Sequence, residues 1–309
     1  MVETSKIVCV YGALRSGTTM LRLMLDSHPQ VSCPGESDFI FSYLTIENGV
    51  WSLDTDGLQR DWLFQTSKLT LIDGSPQEQV AALIAQSGRG REWTVLVVHR
   101  DLGRVLDVLP DLRIIHLLRD PRDVARSAIG MGWAGNVYFG VRQWVDTEDS
   151  WSSAMPRMQG NPRLEVHYED LVRNPEARLE QLCAFLDVPF DRSMLTYDQR
   201  STYALPDVGM LDQWRRRLCP RDIGLLEARL GDRLQTRGYQ SSGHRLITPT
   251  LWDKLALTLD NKAGIWRKRF RDFGVVDPIT VTMANRLRLP GLGRRAQQRI
   301  EQKIIAKVK

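Results

Sequence analysis

The chain has 309 residues, of which 42% are hydrophobic and 26% charged, and it carries a formal net charge of +5. This composition is typical of a globular protein and excludes a chain that is disordered throughout. No apolar run reaches the roughly 18 residues of a membrane-spanning helix, and no signal peptide is visible. The four cysteines form no CxxC motif or Cys/His cluster, so neither a zinc site nor a disulfide framework is indicated, and we expect a cytoplasmic protein.

Short apolar runs predict the strands of a parallel sheet. They cover residues 6–11, 94–98, 113–118 and 164–168. Helical patterns lie between or after them, over residues 18–26, 77–86, 121–131, 141–155 and 175–186. Continuous apolar runs are typical of strands buried on both faces, and their alternation with helices predicts an α/β fold with an open parallel sheet flanked by helices. Sites in such sheets lie beyond the carboxyl ends of the strands.

A glycine-rich turn from Gly12 to Thr19 separates the first predicted strand from the first helix. Backbone N–H groups in such a turn, with the positive end of a helix behind them, form a cradle for phosphate oxygens. The spacing resembles the GxxxxGK[ST] motif of P-loop proteins, but Thr18 occupies the lysine position and Arg15 supplies the cation. We therefore predict a phosphorylated nucleotide held differently from ATP. The alternative is a plain turn in which Thr18 caps the helix.

A second candidate anion site follows the predicted strand over residues 113–118. Asp120 can act as the N-cap of the next helix, with Pro121 at its first position, so that Arg119 projects from the strand end. Ser127 lies two helical turns further on and returns to the same face. One guanidinium and one hydroxyl can hold a second phosphate group.

The two motifs together resemble the PAPS-dependent sulfotransferases, whose donor is 3'-phosphoadenosine 5'-phosphosulfate (PAPS) and whose product is adenosine 3',5'-bisphosphate (PAP). The resemblance covers roughly residues 6–239 and implies a P-loop-like sheet with the sulfotransferase fold. In that family the first turn holds the 5'-phosphosulfate, and an Arg followed eight residues later by Ser holds the 3'-phosphate. The donor-binding residues that it implies are Arg15, Ser16, Gly17, Thr18, Thr19, Arg119, Ser127 and Ser201.

The turn, with the segments at residues 25–29 and 33–37, is similar to the branch that contains the protein-tyrosine sulfotransferases and many bacterial enzymes. This resemblance implies that Glu36 is the catalytic base, the alternative being a solvated surface charge. It also implies that Arg15 and Arg100 act on the transferring group, although a salt bridge between Arg100 and Asp101 would equally explain Arg100. Ser201 is a weaker candidate, which a helix-end cap also explains.

The resemblance predicts transfer of a sulfuryl group from PAPS to a hydroxyl or amine of a small-molecule, glycan or lipid acceptor, with no metal required. The histidines, His99 included, are interpreted as structural. Two other readings stay open, a P-loop-type nucleotide-dependent kinase and a non-catalytic nucleotide-binding adaptor. The acceptor and the oligomeric state are not indicated by the sequence.

Basic charge is concentrated at the carboxyl end of the chain. Residues 262–309 contain thirteen Lys and Arg against three acidic residues, a net charge of +10. Because residues 241–250 are small, polar and broken by glycine and proline, we predict a nucleotide-binding catalytic domain over 1–240 and a basic helical extension over 241–309. The extension suits peripheral contact of residues 262–309 with an anionic membrane, such as the inner membrane surface, or packing on its own domain or a second subunit. No motif favours nucleic-acid binding.

Overall fold

The computed structural model of the chain describes residues 6–287, 293–300 and 303. The predicted basic extension lies partly outside the described residues, at 288–292, 301–302 and 304–309. The chain divides into two compact units. The first contains Met1–Asp120 and Gln143–Asp212, and the second contains Pro121–Arg142 and Gln213–Lys309.

The strands and helices alternate along the first half of the chain, and helices dominate the second half. The strands are β1 (Ile7–Tyr11), β2 (Val31–Ser32), β3 (Leu44–Glu47), β4 (Val50–Leu53), β5 (Trp93–Val98), β6 (Arg113–Leu118) and β7 (Arg163–His167). The helices up to the end of β6 are α1 (Thr18–Ser27), α2 (Asp38–Ser42), α3 (Thr55–Arg60), α4 (Trp62–Ser67), α5 (Pro76–Ser87) and α6 (Leu102–Val108). Those that follow are α7 (Pro121–Gly130), α8 (Val137–Gly140), α9 (Arg142–Ala154), α10 (Tyr168–Arg173), α11 (Pro175–Phe185), α12 (Gln213–Arg217), α13 (Pro220–Leu230), α14 (Arg233–Thr236), α15 (Leu251–Phe273) and α16 (Val276–Arg286).

The first unit is built on a parallel sheet with the strand order β2-β5-β1-β6-β7. All five residues of β1 are buried, because hydrophobic clusters cover both faces of the sheet. The predicted α/β fold with an open parallel sheet flanked by helices is confirmed. The two-residue strand β2 and the partly exposed hairpin β3–β4 were not predicted, because they are too short or too polar to produce a continuous apolar run.

The strand order places three chain segments at one edge of the sheet. Strand β1 pairs with β5 on one side and with β6 on the other, all three parallel. The chain therefore leaves the ends of these strands at neighbouring points, at Gly12, His99 and Arg119. The strands that follow β1 in the chain lie on both sides of it, so the strand order changes direction at β1. Ligands bind at such a point in open α/β sheets.

The second unit packs helix α15 against the segment that precedes α8. The side chain of Asn136 donates to Leu257 O at 2.8 Å and to Asp260 at 2.9 Å, and a methyl group on Gly264 would lie 2.5 Å from the Cα atom of Gly135. The predicted division at residue 240 therefore differs from the structure, in which residues 121–142 and 213–240 belong with the extension. Glycines that allow two backbones to meet leave no local sequence pattern, so this packing was not predicted.

The cysteines differ sharply in their surroundings. Cys9, Cys33 and Cys183 are buried and Cys219 is exposed, and all four are free thiols. Burial raises the pKa of the Cys9 and Cys33 thiols well above the ordinary range and that of Cys183 to about 11.

Candidate active site

Two glycines fix the turn between β1 and α1. A Cβ atom on Gly12 would lie 2.5 Å from the carbonyl oxygen of Leu117 on β6, and one on Gly17 would overlap the ring of Tyr168. Gly17 also has a φ of +94°, in the left-handed region that favours glycine. Gly17 is the N-cap of α1 and Thr18 is its first residue, so Thr18 is not the helix cap that the alternative reading expected.

Arg119 lies beneath this turn and supports it. Its side chain is buried, and its guanidinium lies 4.2 Å from the ring centre of Tyr168. From that position it donates to the carbonyl oxygen of Arg15 at 3.0 Å and to that of Met210 at 3.4 Å. Arg15 has a positive φ of 73°, so this hydrogen bond helps to hold the turn in an uncommon backbone conformation. Tyr168, which directly follows β7, connects Arg119 to Gly17.

Two buried polar atoms beside the turn have no hydrogen-bond partner among the described residues. They are the hydroxyl of Ser16, whose residue is fully buried, and Nε of Arg119. Leaving such atoms unpaired costs about 1–3 kcal/mol each, so structures rarely keep them without a ligand, ion or water. Donors of this kind fit an anionic group in the turn.

Glu36 is positioned by the end of β5. It forms an isolated parallel bridge with Val97, and the next N–H along the chain, that of Ser37, donates to Val97 O at 2.8 Å. Glu36 is half-buried and contributes to the wall of a cavity of about 110 Å³ that also includes Gly35, Phe39 and Leu63. The backbone at Glu36 is therefore anchored to the end of β5.

A buried histidine lies between Glu36 and the turn. His99 follows β5, and Asp38 contacts it twice, at its backbone N–H (2.9 Å) and at ring Nδ1 (2.6 Å). Ring Nε2 lies 3.3 Å from the hydroxyl of Thr18. Polar atoms of Glu36, Asp38 and His99 all fall within 4.8 Å of one another. Because Nδ1 already bonds Asp38, we interpret the group as a hydrogen-bonded pair beside a second carboxylate, and a metal-free site stays a prediction.

The other predicted site residues lie in different surroundings. Arg100 is exposed and makes no hydrogen bond or ion pair with another described residue, while Asp101 pairs with Arg104 at 3.8 Å. The Ser201 hydroxyl accepts from the N–H of Tyr203 at 3.2 Å, which fits the local capping role left open by the sequence. Ser127 is half-buried on α7 in the second unit. Within the first unit the structure brings the turn, Arg119 and Glu36 to the same edge of the sheet.

Comparison with known proteins decides the family. A family model described as "Sulfotransferase family" matches residues 8–192, more than half of the chain. The chain belongs to the sulfotransferase family. This membership confirms the resemblance drawn from the sequence and the prediction of a sulfotransferase-type enzyme.

The sulfotransferase match extends to curated animal proteins. Protein-tyrosine sulfotransferase 1 of Danio rerio is 26% identical over 205 residues, which are 62% of this chain and 56% of that protein. Protein-tyrosine sulfotransferase 1 of Homo sapiens is 26% identical over 206 residues, 62% of this chain and 54% of its own length. The chain thus spans little more than half the length of these relatives.

Solved structures show the same fold at low sequence identity. The sulfotransferase domain from the Synechococcus PCC 7002 olefin synthase superposes with a TM-score of 0.57 and 21% identity, over 76% of this chain and 94% of that domain. The sulfotransferase domain from the curacin biosynthetic pathway superposes with a TM-score of 0.55 and 21% identity, over 76% and 98%. These neighbours establish the sulfotransferase fold for this chain.

The prediction of a cytoplasmic location, with its variant at the inner membrane surface, is wrong. The matched relatives are protein-tyrosine sulfotransferases, which are membrane enzymes of the Golgi lumen. None of the helices within the described residues combines the length and the apolar character needed to cross a bilayer.

Proposed function

We propose that this sulfotransferase takes the sulfuryl group from PAPS and transfers it to an acceptor hydroxyl, with Glu36 as the base. The observation that carries the proposal is the hydrogen bond from Arg119 to Arg15, which joins the two predicted anion-binding elements at one edge of the sheet. Separate clefts for these two arginines would have argued against a single nucleotide bridging them. An amine acceptor remains within the proposal.

Donor binding is assigned to the turn and to Arg119. The N–H groups of Thr18 and Thr19 open helix α1 and, like the first donors of any helix, have no partner inside it. The unpaired hydroxyl of Ser16 and Nε of Arg119 add buried donors at the same place. We assign the 5'-phosphosulfate to the turn and the 3'-phosphate to Arg119, following the family resemblance.

The mechanism needs one group that accepts a proton and several that stabilise negative charge. PAPS supplies the sulfuryl group, and charge develops on the oxygen that links sulfur to the departing phosphate. Arg15 and the backbone of the turn would stabilise that charge, because fixed donors cost no reorganisation during the reaction. Arg100, exposed and without a protein partner among the described residues, can move to the same charge. Glu36 would accept the proton of the acceptor oxygen.

The relatives narrow the choice of acceptor. Because they are named protein-tyrosine sulfotransferases, we propose the phenolic hydroxyl of a tyrosine in a protein as the first acceptor to test. Small molecules, glycans and lipids, which the sequence analysis favoured, form the rest of the panel. The reaction is the same for each, since an oxygen–sulfur bond forms at the acceptor as the bond between sulfur and the phosphate oxygen breaks.

The deciding experiment combines a binding assay with a transfer assay. Calorimetry should show binding of PAP by the protein and weaker or no binding of ATP with Mg²⁺. Mass spectrometry of each acceptor after incubation with PAPS should show a gain of about 80 Da, one sulfuryl group, and turnover should survive EDTA. Phosphate transfer from ATP that depends on Mg²⁺ would favour the kinase reading. Binding of PAP without transfer to any acceptor would favour the adaptor reading.

Contact of the basic extension with an anionic membrane is a second, separate part of the proposal. Leu251, Trp252, Leu255 and Leu259 are more than half exposed and recur at helical spacing along α15. Basic residues follow on the same helix, from Lys262 to Arg271. Such an apolar stripe beside cations suits a membrane surface. The fraction of protein that co-sediments with phosphatidylglycerol liposomes should fall in a Trp252→Ser variant. It should be unchanged in a Trp62→Ser variant, which replaces another exposed tryptophan.

A further inference from the structure

The side chain of His99 is held in one orientation by Asp38. One carboxylate oxygen accepts the backbone N–H of His99 and the other lies 2.6 Å from ring Nδ1. A carboxylate can only accept, so Nδ1 carries a proton and, in the neutral ring, Nε2 is left with its lone pair. His99 is 2% exposed, which leaves the ring little freedom to turn.

The second ring nitrogen, Nε2, contacts the phosphate turn at Thr18. Nε2 lies 3.3 Å from the Thr18 hydroxyl, and both groups are buried. With a neutral ring, this hydroxyl donates to Nε2 and its proton points away from the turn. An anion in the turn would attract the hydroxyl proton, and the Thr18 oxygen would then need a donor from His99. A second proton on the ring, at Nε2, provides that donor.

The groups that surround His99 are mostly acidic or uncharged. The titratable groups that face the ring or its partner are the carboxylates of Asp38 and Glu36, with the buried thiol of Cys9 and the hydroxyl of Tyr11 close to Asp38. Helix α9 contributes the uncharged Thr147, whose hydroxyl donates to His99 O at 3.1 Å. In the chain, the exposed Arg100 and Asp101 follow directly. Polar atoms of two carboxylates therefore lie within 4.8 Å of a His99 ring nitrogen, and the adjacent guanidinium is exposed to solvent.

We propose that His99, fixed by Asp38, is a positioning residue that takes up a proton when an anion binds in the turn and so directs the Thr18 hydroxyl toward that anion. This inference rests on the proposed donor site. The inference predicts how nucleotide affinity depends on pH. The affinity falls as the pH rises through the range in which the proton is taken up. The fall cannot exceed about tenfold per pH unit for one proton.

The test measures proton uptake on binding of PAP, the nucleotide product, which requires no turnover. Calorimetry at one pH, in two buffers of different ionisation enthalpy, gives the number of protons taken up. The wild-type protein should take up more protons than His99→Gln. Subtracting the value for His99→Gln from that for the wild type removes the protons that the nucleotide's own phosphates take up. Asp38→Asn and Thr18→Val should lose the same increment, and Thr18→Ser should keep it.

A matched control is available in the same sheet. His116 on β6 is a second buried histidine beside a carboxylate, with Nε2 3.1 Å from Glu148. Glu148→Gln should keep the uptake of the wild type, and the melting temperature of each variant identifies any that fail to fold. Equal uptake by wild type, His99→Gln and Thr18→Val would overturn the inference and leave the donor site standing. No binding of PAP by the wild type would overturn both.

Discussion

Tyr168 packs so closely against Gly17 that even a methyl group at position 17 would overlap its ring. The same ring supports the guanidinium of Arg119 on its face, so that the end of β7, the end of β6 and the turn meet at a single tyrosine. One aromatic side chain therefore links the proposed phosphate sites.

Gly17→Ala should abolish nucleotide binding. The new methyl group would push the turn from Tyr168, and the φ of +94° adds backbone strain of about 1–2 kcal/mol. Calorimetry with PAP and the melting temperature are the measurements. Gly90→Ala is the control for strain alone, because Gly90 has a φ of +73° and a methyl group there would have no atom within 4 Å. Equal effects of the two changes on binding would mean that the Tyr168 contact is unimportant.

Arg119→Lys should weaken binding of PAP by about 10- to 100-fold, the equivalent of one charge-assisted hydrogen bond. Lysine keeps the charge but cannot donate from a planar group that also stacks on Tyr168. Titration of PAP into each variant measures the effect. Arg113→Lys is a matched control at the opposite end of β6, because Arg113 also donates to a carbonyl, that of Phe185, and lies 5.0 Å from a ring, Trp93. If Arg113→Lys weakened binding as much, the effect would be one of general stability.

Glu36→Gln should lower the rate of sulfuryl transfer by about a hundred- to ten-thousand-fold, the usual contribution of a general base. Affinity for PAP should change little, because Glu36 lies at the end of β5 and outside the turn. Single-turnover kinetics and calorimetry separate the two quantities. Glu180→Gln, an exposed change on α11, should alter neither. A Glu36→Gln enzyme with the rate of the wild type would mean that another group accepts the proton.

His167 gives the first unit a pH-dependent stability. Its hydrogen bond to Glu165 raises the pKa of the ring above the ordinary 6.5, against an opposing effect of burial. The stabilisation is therefore present below the unfolded pKa of the ring, as long as Glu165 is ionised, and disappears as the pH rises through the folded pKa. Urea unfolding of the wild type and of Glu165→Gln should differ most between about pH 5 and 6 and converge at high pH. A difference that is constant with pH would exclude this ion pair as its source.

Gly264→Ala should destabilise the second unit by about 1–3 kcal/mol, as overpacking does. The added methyl group would meet the backbone of Gly135, although alanine is the better helix former. Urea unfolding gives the free energy. Gly130→Ala, at the end of α7 where a methyl group would have open space around it, should be neutral or slightly stabilising. Stabilisation by both changes would indicate that α15 does not rest on Gly135.

The sheet could be predicted from the sequence because its central strands are continuous apolar runs, which are followed by Gly12, His99 and Arg119. The turn and Arg119 could be predicted because each directly follows such a strand. The division into units could not be predicted, since Gly135 and Gly264 are in contact but lie far apart in the chain. His99 was interpreted as structural, because its partner Asp38 is 61 residues away. A functional role for His99 was indicated only by its position directly after a buried strand, where the site was predicted to lie.

The distribution of thiols has a practical consequence for work on this enzyme in solution. Cys9, Cys33 and Cys183 are enclosed and held in the protonated form, whereas Cys219 is exposed at the start of α13. Alkylating reagents react with thiolates, so the folded protein should accept one label, at Cys219, without mutagenesis. Unfolding would release the remaining three, which makes the stoichiometry of labelling a direct count of the molecules that have lost their core.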